Sequence, residues 1–314
     1  MDKNNRIYVA GHSGMLGSAI VRLLKKKGFE NLVLSNHREL DLRDSLAVKN
    51  FFAMQKPEIV IFAAARVGGI QANLEHPAEF LFDNLAIQNN VIHQSFLSGV
   101  KKFCFLGSSC IYPRECLQPM REEYLLTGPL EPTNESYALA KIAGLKMVEY
   151  YRKQYGFGGI SVMPCNLYGT NDSFDPSRSH VLAALVKKFV DAVGSEIDSV
   201  TVWGTGSARR EFMHVDDAAE AILFLIDNYN ESAFINIGWG IDISIRDLVK
   251  LIAQKTGYKG FINWDTAKSD GMPRKCMDVS RLNALGYAPK MLLEDGIKKT
   301  IEEYRIRALS KKNK

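Results

Sequence analysis

Tyr137 and Lys141 stand four residues apart in a stretch of helical spacing, so their side chains share one helix face. Reducing a ketone requires hydride at carbon and a proton at oxygen. A phenol with the ordinary pKa of about 10 is a poor proton partner near neutrality. An ammonium beside it favours the phenolate, and Lys141 is spaced to supply one. Upstream, Gly107, Ser108 and Ser109 close an apolar run, where the Ser108 hydroxyl can hydrogen-bond the same substrate oxygen and fix its direction. These residues are therefore expected to act together: Tyr137 as proton donor, Lys141 as its tuner and ribose anchor, and Ser108 as carbonyl orienter.

The pair alone says little, since such spacing arises by chance about once in a chain of this composition. Its place after a glycine turn gives it weight. Gly11, Gly14 and Gly17 form G-H-S-G-M-L-G directly after the apolar run Ile7–Ala10. Glycine lets the backbone turn tightly and approach a pyrophosphate, while free helix N–H groups face the anion. A dinucleotide is expected there. The G-x-x-G-x-x-G spacing is that of short-chain dehydrogenase/reductases rather than the G-x-G-x-x-G of many dehydrogenases. Near the end of the second strand an acid would bind the ribose hydroxyls of NAD. The stretch here is Ser35, Asn36, His37 and Arg38, with no acid until Glu39. His37 or Arg38 can meet a 2′-phosphate, so NADP(H) is the expected cofactor.

The elements that must position these groups alternate. Apolar runs at Ile7–Ala10, Leu32–Leu34, Ile59–Ala65, Phe103–Leu106 and Ile160–Met163 read as strands. Between them, helical patterns span Met15–Lys27, Asp44–Gln55, Pro77–Leu97 and Tyr137–Gln154, with Asp44 a cap. This predicts an α/β protein: a Rossmann-type doubly wound parallel sheet with a smaller α/β C-terminal substrate domain. The cofactor domain is expected over 1–168 with about 213–243, and the substrate domain over about 169–212 and 244–314. Trp203, Trp239 and Trp264 all fall beyond residue 200, as suits a region that receives a flat ligand.

Of 314 residues, 46% are hydrophobic and 24% charged, the profile of a globular chain. The net charge of +5 equals the five basic residues between Tyr304 and Lys314, leaving the body neutral. That excludes a broad basic face for nucleic acid, and the tail reads as a solvated helix end. The longest apolar stretch, Ile59–Ala65, is far short of the roughly 20 residues of a membrane helix. No membrane contact, a cytoplasmic location, no metal site and five reduced cysteines are expected.

Longer motifs carry a resemblance that covers nearly the whole chain. They are V-G-G-I-Q-A-N (Val67–Asn73), L-G-S-S-C-I-Y-P (Leu106–Pro113), E-P-T-N-E-S-Y-A (Glu131–Ala138), N-L-Y-G (Asn166–Gly169), S-H-V (Ser179–Val181), V-W-G-T-G (Val202–Gly206), R-E-F-M-H-V-D-D (Arg210–Asp217) and D-G-M-P-R-K (Asp270–Lys275). With the glycine turn, they resemble the extended short-chain dehydrogenase/reductases. Within that family they are similar to the subgroup that epimerises C3 and C5 of GDP-4-keto-6-deoxy-D-mannose and reduces its C4 ketone with NADPH. The resemblance implies an acid/base pair, Cys110 and His180, for epimerisation. It adds Ser13, Met15, Leu16, Asp41 and Leu42 to the cofactor site, then Leu106, Gly107, Pro164, Asn166, Leu167 and His180. It places Lys188, Trp203, Arg210 and Asp270 around GDP, with Lys275 a weaker candidate, and it implies a homodimer through the two long helices. His214, Asp216 and Asp217 are read instead as cap and support.

The chain departs from the subgroup at several positions. Ser13 and Lys188 replace arginines, while Cys165, Thr170 and Ala183 replace Thr, Pro and Pro beside the sugar. A GDP-4-keto-6-deoxy-heptose, reduced at C4 with or without epimerisation in surface-polysaccharide biosynthesis, is the alternative substrate. A UDP-sugar 4-epimerase shares fold and triad but has no need of Cys110 and His180. A non-catalytic dinucleotide sensor would have lost part of the triad, and all three members are present.

Overall fold

The computed structural model describes residues 1–175 and 179–312. Lys314 of the basic tail lies outside the described residues. The first half alternates β1 (Ile7–Ala10), α1 (Met15–Lys26), β2 (Leu32–Val33), α2 (Ser45–Gln55), β3 (Ile59–Phe62), α3 (Ile70–Glu75), α4 (Pro77–Leu97), β4 (Lys102–Leu106), α5 (Glu135–Tyr155) and β5 (Gly159–Pro164). The second half holds β6 (Asn166–Tyr168), α6 (Val181–Gly194), β7 (Ser199–Trp203), β8 (Arg209–His214), α7 (Val215–Asn228), β9 (Ile235–Ile237), β10 (Asp242–Ser244), α8 (Ile245–Thr256), β11 (Phe261–Asp265), β12 (Arg274–Lys275), α9 (Ser280–Ala284) and α10 (Leu293–Lys312).

Strands β1, β3 and β5 are buried along their whole length, which is why they read as unbroken apolar runs. They lie in a six-stranded sheet ordered β2-β1-β3-β4-β5-β9, parallel at every pairing. Chain order reverses between β1 and β3, so a crevice opens beyond their C-terminal ends. Helix α4 packs against α5 and α1 against α7. Asp44 caps α2 by accepting from the N–H groups of Leu46 (2.9 Å) and Ala47 (3.0 Å). His214 likewise caps α7, accepting from Asp216 N.

Beyond β5, strand β8 pairs with β6, β10 and β12, and β7 pairs with β11. A second core of Leu182, Phe189, Val202, Leu248, Ile252 and Ile301 lies here, separate from the core of the large sheet. One stretch departs from the expected partition: Met277, Val279, Leu282 and Tyr287 are buried in the first core. The cause is a bridge between Met120 and Met277, which draws this segment back across the molecule. The basic tail also departs from a solvated end. Arg305 donates to Thr256 O and Arg307 to Asp172 O, so both guanidinium groups tie α10 to the second half.

Candidate active site

The crevice is a cleft of about 760 Å³ reached by the C-terminal ends of β1, β3, β4 and β5. At its floor, Gly11 adopts a φ of +79°, and a side chain there would meet the Ala64 backbone N at 2.7 Å. A methyl on Gly17 would lie 2.1 Å from the Gly11 carbonyl oxygen, so strand and helix pack backbone to backbone. Gly14 caps α1 without a side chain, leaving the helix N–H groups open to the cleft. A dinucleotide pyrophosphate fits this cradle. Unpartnered buried oxygens of Asn73 and Asn134 also belong to cleft-lining residues. Neither asparagine was assigned from the sequence, although Asn73 closes V-G-G-I-Q-A-N and Asn134 lies within E-P-T-N-E-S-Y-A.

Ser13, Met15, Leu16, His37, Asp41, Leu42, Leu106 and Gly107 line the cleft, as do Pro164, Asn166 and Leu167. Arg38 does not. Its backbone N–H donates to Asn36 Oδ1 in a tight turn, and its side chain is exposed. Glu39, beyond reach in the linear reading, turns back so that its carboxylate accepts from Asn36 N (2.9 Å) and Ser35 Oγ (3.3 Å). The arginine that reaches the cleft here is Arg43, paired with Asp41 (2.7 Å) and Asp83 (3.2 Å). It holds the Asp41 carboxyl down at about 2.

Ser108, Cys110, Tyr137, Lys141 and His180 all line this one cleft. Ser108 caps a single helical turn, Ser109–Ile111, its Oγ accepting from Cys110 N at 3.4 Å. Lys141 is buried and donates to Leu106 O at 2.9 Å, with Nζ 5.7 Å from the Tyr137 ring centroid. Burial brings the Lys141 ammonium down to about 8 and pushes the Tyr137 phenol up. Here the structure corrects the sequence reading. The Lys141 ammonium donates to the Leu106 carbonyl, and burial, with the Cys110 charge adding to it, raises the Tyr137 phenol, so Tyr137 stays protonated. His180 immediately precedes α6 and lines the cleft, and burial and then the Lys275 charge push its imidazole down. Burial pushes the Cys110 thiol up, opposed first by Lys275.

Four expected GDP contacts, Lys188, Trp203, Arg210 and Asp270, lie outside this cleft and form a second group. Arg210 donates to Asp270 O (3.3 Å), and the Asp270 carboxylate accepts from Thr205 N (2.8 Å) and Thr205 Oγ1 (2.7 Å). Lys188 donates to Thr201 O on β7, and Trp203, 68% exposed, ends that strand with Lys268 over its ring. Lys275 is the link: it lines the cleft and pairs in register with Arg210. The five cysteines form no disulfide, and no group of metal-ligating side chains occurs among the described residues.

A parallel sheet ending on a glycine cradle, with serine, tyrosine and lysine across the cleft, defines a dinucleotide-dependent oxidoreductase. Residues 7–238 match the NAD dependent epimerase/dehydratase family, and the chain belongs to it. It is 53% identical over 303 residues to GDP-L-fucose synthase 1 of Arabidopsis thaliana, covering 96% of this chain and 94% of that one. GDP-L-fucose synthase of Escherichia coli is 48% identical, with 95% of each chain covered. Among solved structures, a GDP-mannoheptose C4 reductase from Campylobacter jejuni with NADP bound superposes with a TM-score of 0.89 at 40% identity, covering 97% of this chain and 99% of that one.

Proposed function

We propose that this protein is a GDP-L-fucose synthase: it epimerises C3 and C5 of a GDP-4-keto-6-deoxy sugar and reduces the C4 ketone with NADPH. The observation that carries the reading is the convergence of Ser108, Cys110, Tyr137, Lys141 and His180 on the cleft that holds the glycine cradle. The names of the relatives agree with it. Bound against that cradle, NADPH supplies the hydride.

Each side chain then has a task. The Tyr137 phenol, kept protonated by burial, donates its proton to the C4 oxygen as the carbonyl becomes an alcohol. Ser108 fixes the carbonyl, its hydroxyl hydrogen free to point at that oxygen. Lys141, anchored on Leu106 O, is positioned to hold the cofactor ribose beside Tyr137. Before reduction, the same Ser108 and Tyr137 hydroxyls stabilise the enolate that forms when a proton leaves C3 or C5. Cys110 and His180 remove that proton from one face and return one to the other. The Arg210 fork and Lys188 hold the diphosphate, with Trp203 and Asp270 at the guanosine. We assign the six-stranded half to the cofactor and the half built on β7, β8 and α6 to the nucleotide sugar.

The C. jejuni heptose reductase supports a second reading, C4 reduction of a GDP-4-keto-6-deoxy-heptose, because Cys165 lines the cleft where the subgroup has threonine. Incubation with each GDP-4-keto sugar and NADPH in deuterated water, followed by NMR of the product, decides both questions. Deuterium at C3 and C5 of a fucose product supports the first reading. A reduced, unlabelled heptose with no fucose formed overturns it. No helix is long and apolar enough to cross a membrane among the described residues. We place the enzyme in the cytoplasm, where five unpaired thiols persist, as a homodimer through α4 and α5.

A further inference from the structure

The Lys275 side chain makes no ion pair or hydrogen bond among the described residues and is half-buried in the wall of the catalytic cleft. Its strand is fixed from both sides. Lys275 and Arg274 pair with β8, while the next two residues are clamped by side chains from elsewhere. Cys276 N donates to Gln118 Oε1 (3.0 Å), and Met277 N donates to the buried carboxylate of Glu211 (2.8 Å). Glu211 also accepts from Gly240 N at 2.7 Å, so one carboxylate joins β8, the loop after β9 and the Lys275 segment. A flexible lysine on so constrained a backbone has few directions open to it, and the cleft is one of them.

We infer that Lys275 is a third member of the proton-transfer centre, its ammonium stabilising the Cys110 thiolate and keeping the His180 imidazole neutral rather than serving the nucleotide alone. The inference rests on the epimerase reading of that pair. Lys275, Cys110 and His180 line the same cleft, and the Lys275 charge acts on both of the other two groups. Of the charges facing Cys110, Lys275 acts more strongly than Lys141 from α5, and the Tyr137 phenol on α5 is neutral. Around Lys275 itself lie Arg210 on β8 and the thiols Cys110, Cys116 and Cys165; burial pushes its ammonium down, and the Cys110 thiolate acts in the opposite direction. A positive charge without a counter-ion in a cleft stabilises whatever anion forms beside it.

The chemistry requires such an anion. When Cys110 gives its proton to a substrate carbon, the electron pair of the enolate forms the new C–H bond and the sulfur is left as thiolate. In the reverse direction the thiolate takes the proton, and the pair from the C–H bond becomes the enolate. Lys275 keeps all its protons in both directions. It is thus a positioning residue that acts through Cys110.

The test is the pH profile of Cys110 alkylation by iodoacetamide, read by mass spectrometry of the Cys110 peptide in the full-length protein. It runs alongside deuterium wash-in at C3 and C5. Lys275→Met should move the alkylation midpoint up by about one pH unit, which is roughly tenfold slower reaction near neutrality. Wash-in should slow to a similar degree, and Lys275→Arg, which keeps the charge, should restore both. Lys275→Gln replaces the methionine variant if that one does not fold. An unchanged Cys110 profile in the neutral variant overturns the inference even when wild-type wash-in is normal. Absent wash-in in the wild type with a shifted alkylation profile instead removes the epimerase reading and leaves the coupling of Lys275 to Cys110 standing.

Discussion

Gly17 approaches Gly11 so closely that a methyl group on its Cα would lie 2.1 Å from the Gly11 carbonyl oxygen. The same group on Gly14 would sit 3.5 Å from that oxygen, an ordinary contact. The three glycines therefore do different work: Gly11 turns, Gly17 lets helix meet strand, and Gly14 leaves the anion face open. Gly17→Ala should destabilise the protein by at least about 1–3 kcal/mol and abolish NADPH binding, because backbone atoms cannot step aside. Gly14→Ala should fold with near-normal stability. Thermal unfolding and fluorescence titration with NADPH compare the two, and equal losses would contradict the division of roles.

Tyr137→Phe removes the proton donor and leaves the ring that packs against the first core. Ketone reduction should fall by about a hundredfold or more, with NADPH affinity within a few-fold. Retained turnover in a stopped-flow assay of NADPH oxidation would take Tyr137 out of the mechanism.

Lys141 is held down at about 8 by burial. Below that pH its ammonium is present, and above it the charge is lost, so reduction should weaken as pH rises through about 8. Tyr137 is pushed up and stays protonated over this range, so it adds no limb of its own. Lys141→Met should be slow throughout and lack the alkaline decline. A wild-type profile that is flat between about pH 7 and about pH 9 argues against a role for the charge.

Cys110→Ser exchanges a thiol for a hydroxyl that gives up its proton far less readily. Wash-in of solvent deuterium at C3 and C5 should slow by about a hundredfold, while reduction of a substrate that needs no epimerisation should persist. Exchange at the wild-type rate would leave Cys110 as packing alone.

Helices α4 and α5 pack together yet leave Phe82, Leu97, Leu139 and Tyr150 exposed. Burial of these groups against a second copy would account for them. Light scattering at micromolar concentration should return twice the chain mass, and Phe82→Asp with Tyr150→Asp should return the chain mass itself. A wild-type monomer contradicts the dimer.

The alternating elements were legible because buried parallel strands and amphipathic helices leave patterns in local sequence. The glycine cradle and the Tyr137–Lys141 spacing were legible for the same reason, since each is contained within a single strand–turn–helix or a single turn of helix. Arg38 shows where that reasoning stops. Its position near the end of β2 suggested a phosphate contact, but Asn36 caps a turn there, and the fold brings Arg43, five residues on, into the cleft lining as well.

The sequence by itself determined the parts: the sheet, the phosphate turn, the serine, tyrosine and lysine of the cleft, and the cysteine and histidine that motif resemblance added. Only the tertiary structure decided how they act on one another. The environment of Tyr137 depends on burial by distant segments, so its phenol rises where local spacing alone predicted a fall. Lys275 comes from a two-residue strand more than 130 positions after Tyr137, held at the catalytic cleft by pairing with β8 and by the bonds of Glu211 and Gln118 to the backbone that follows it. Charge interactions act through space, and separation along the chain carries no record of them.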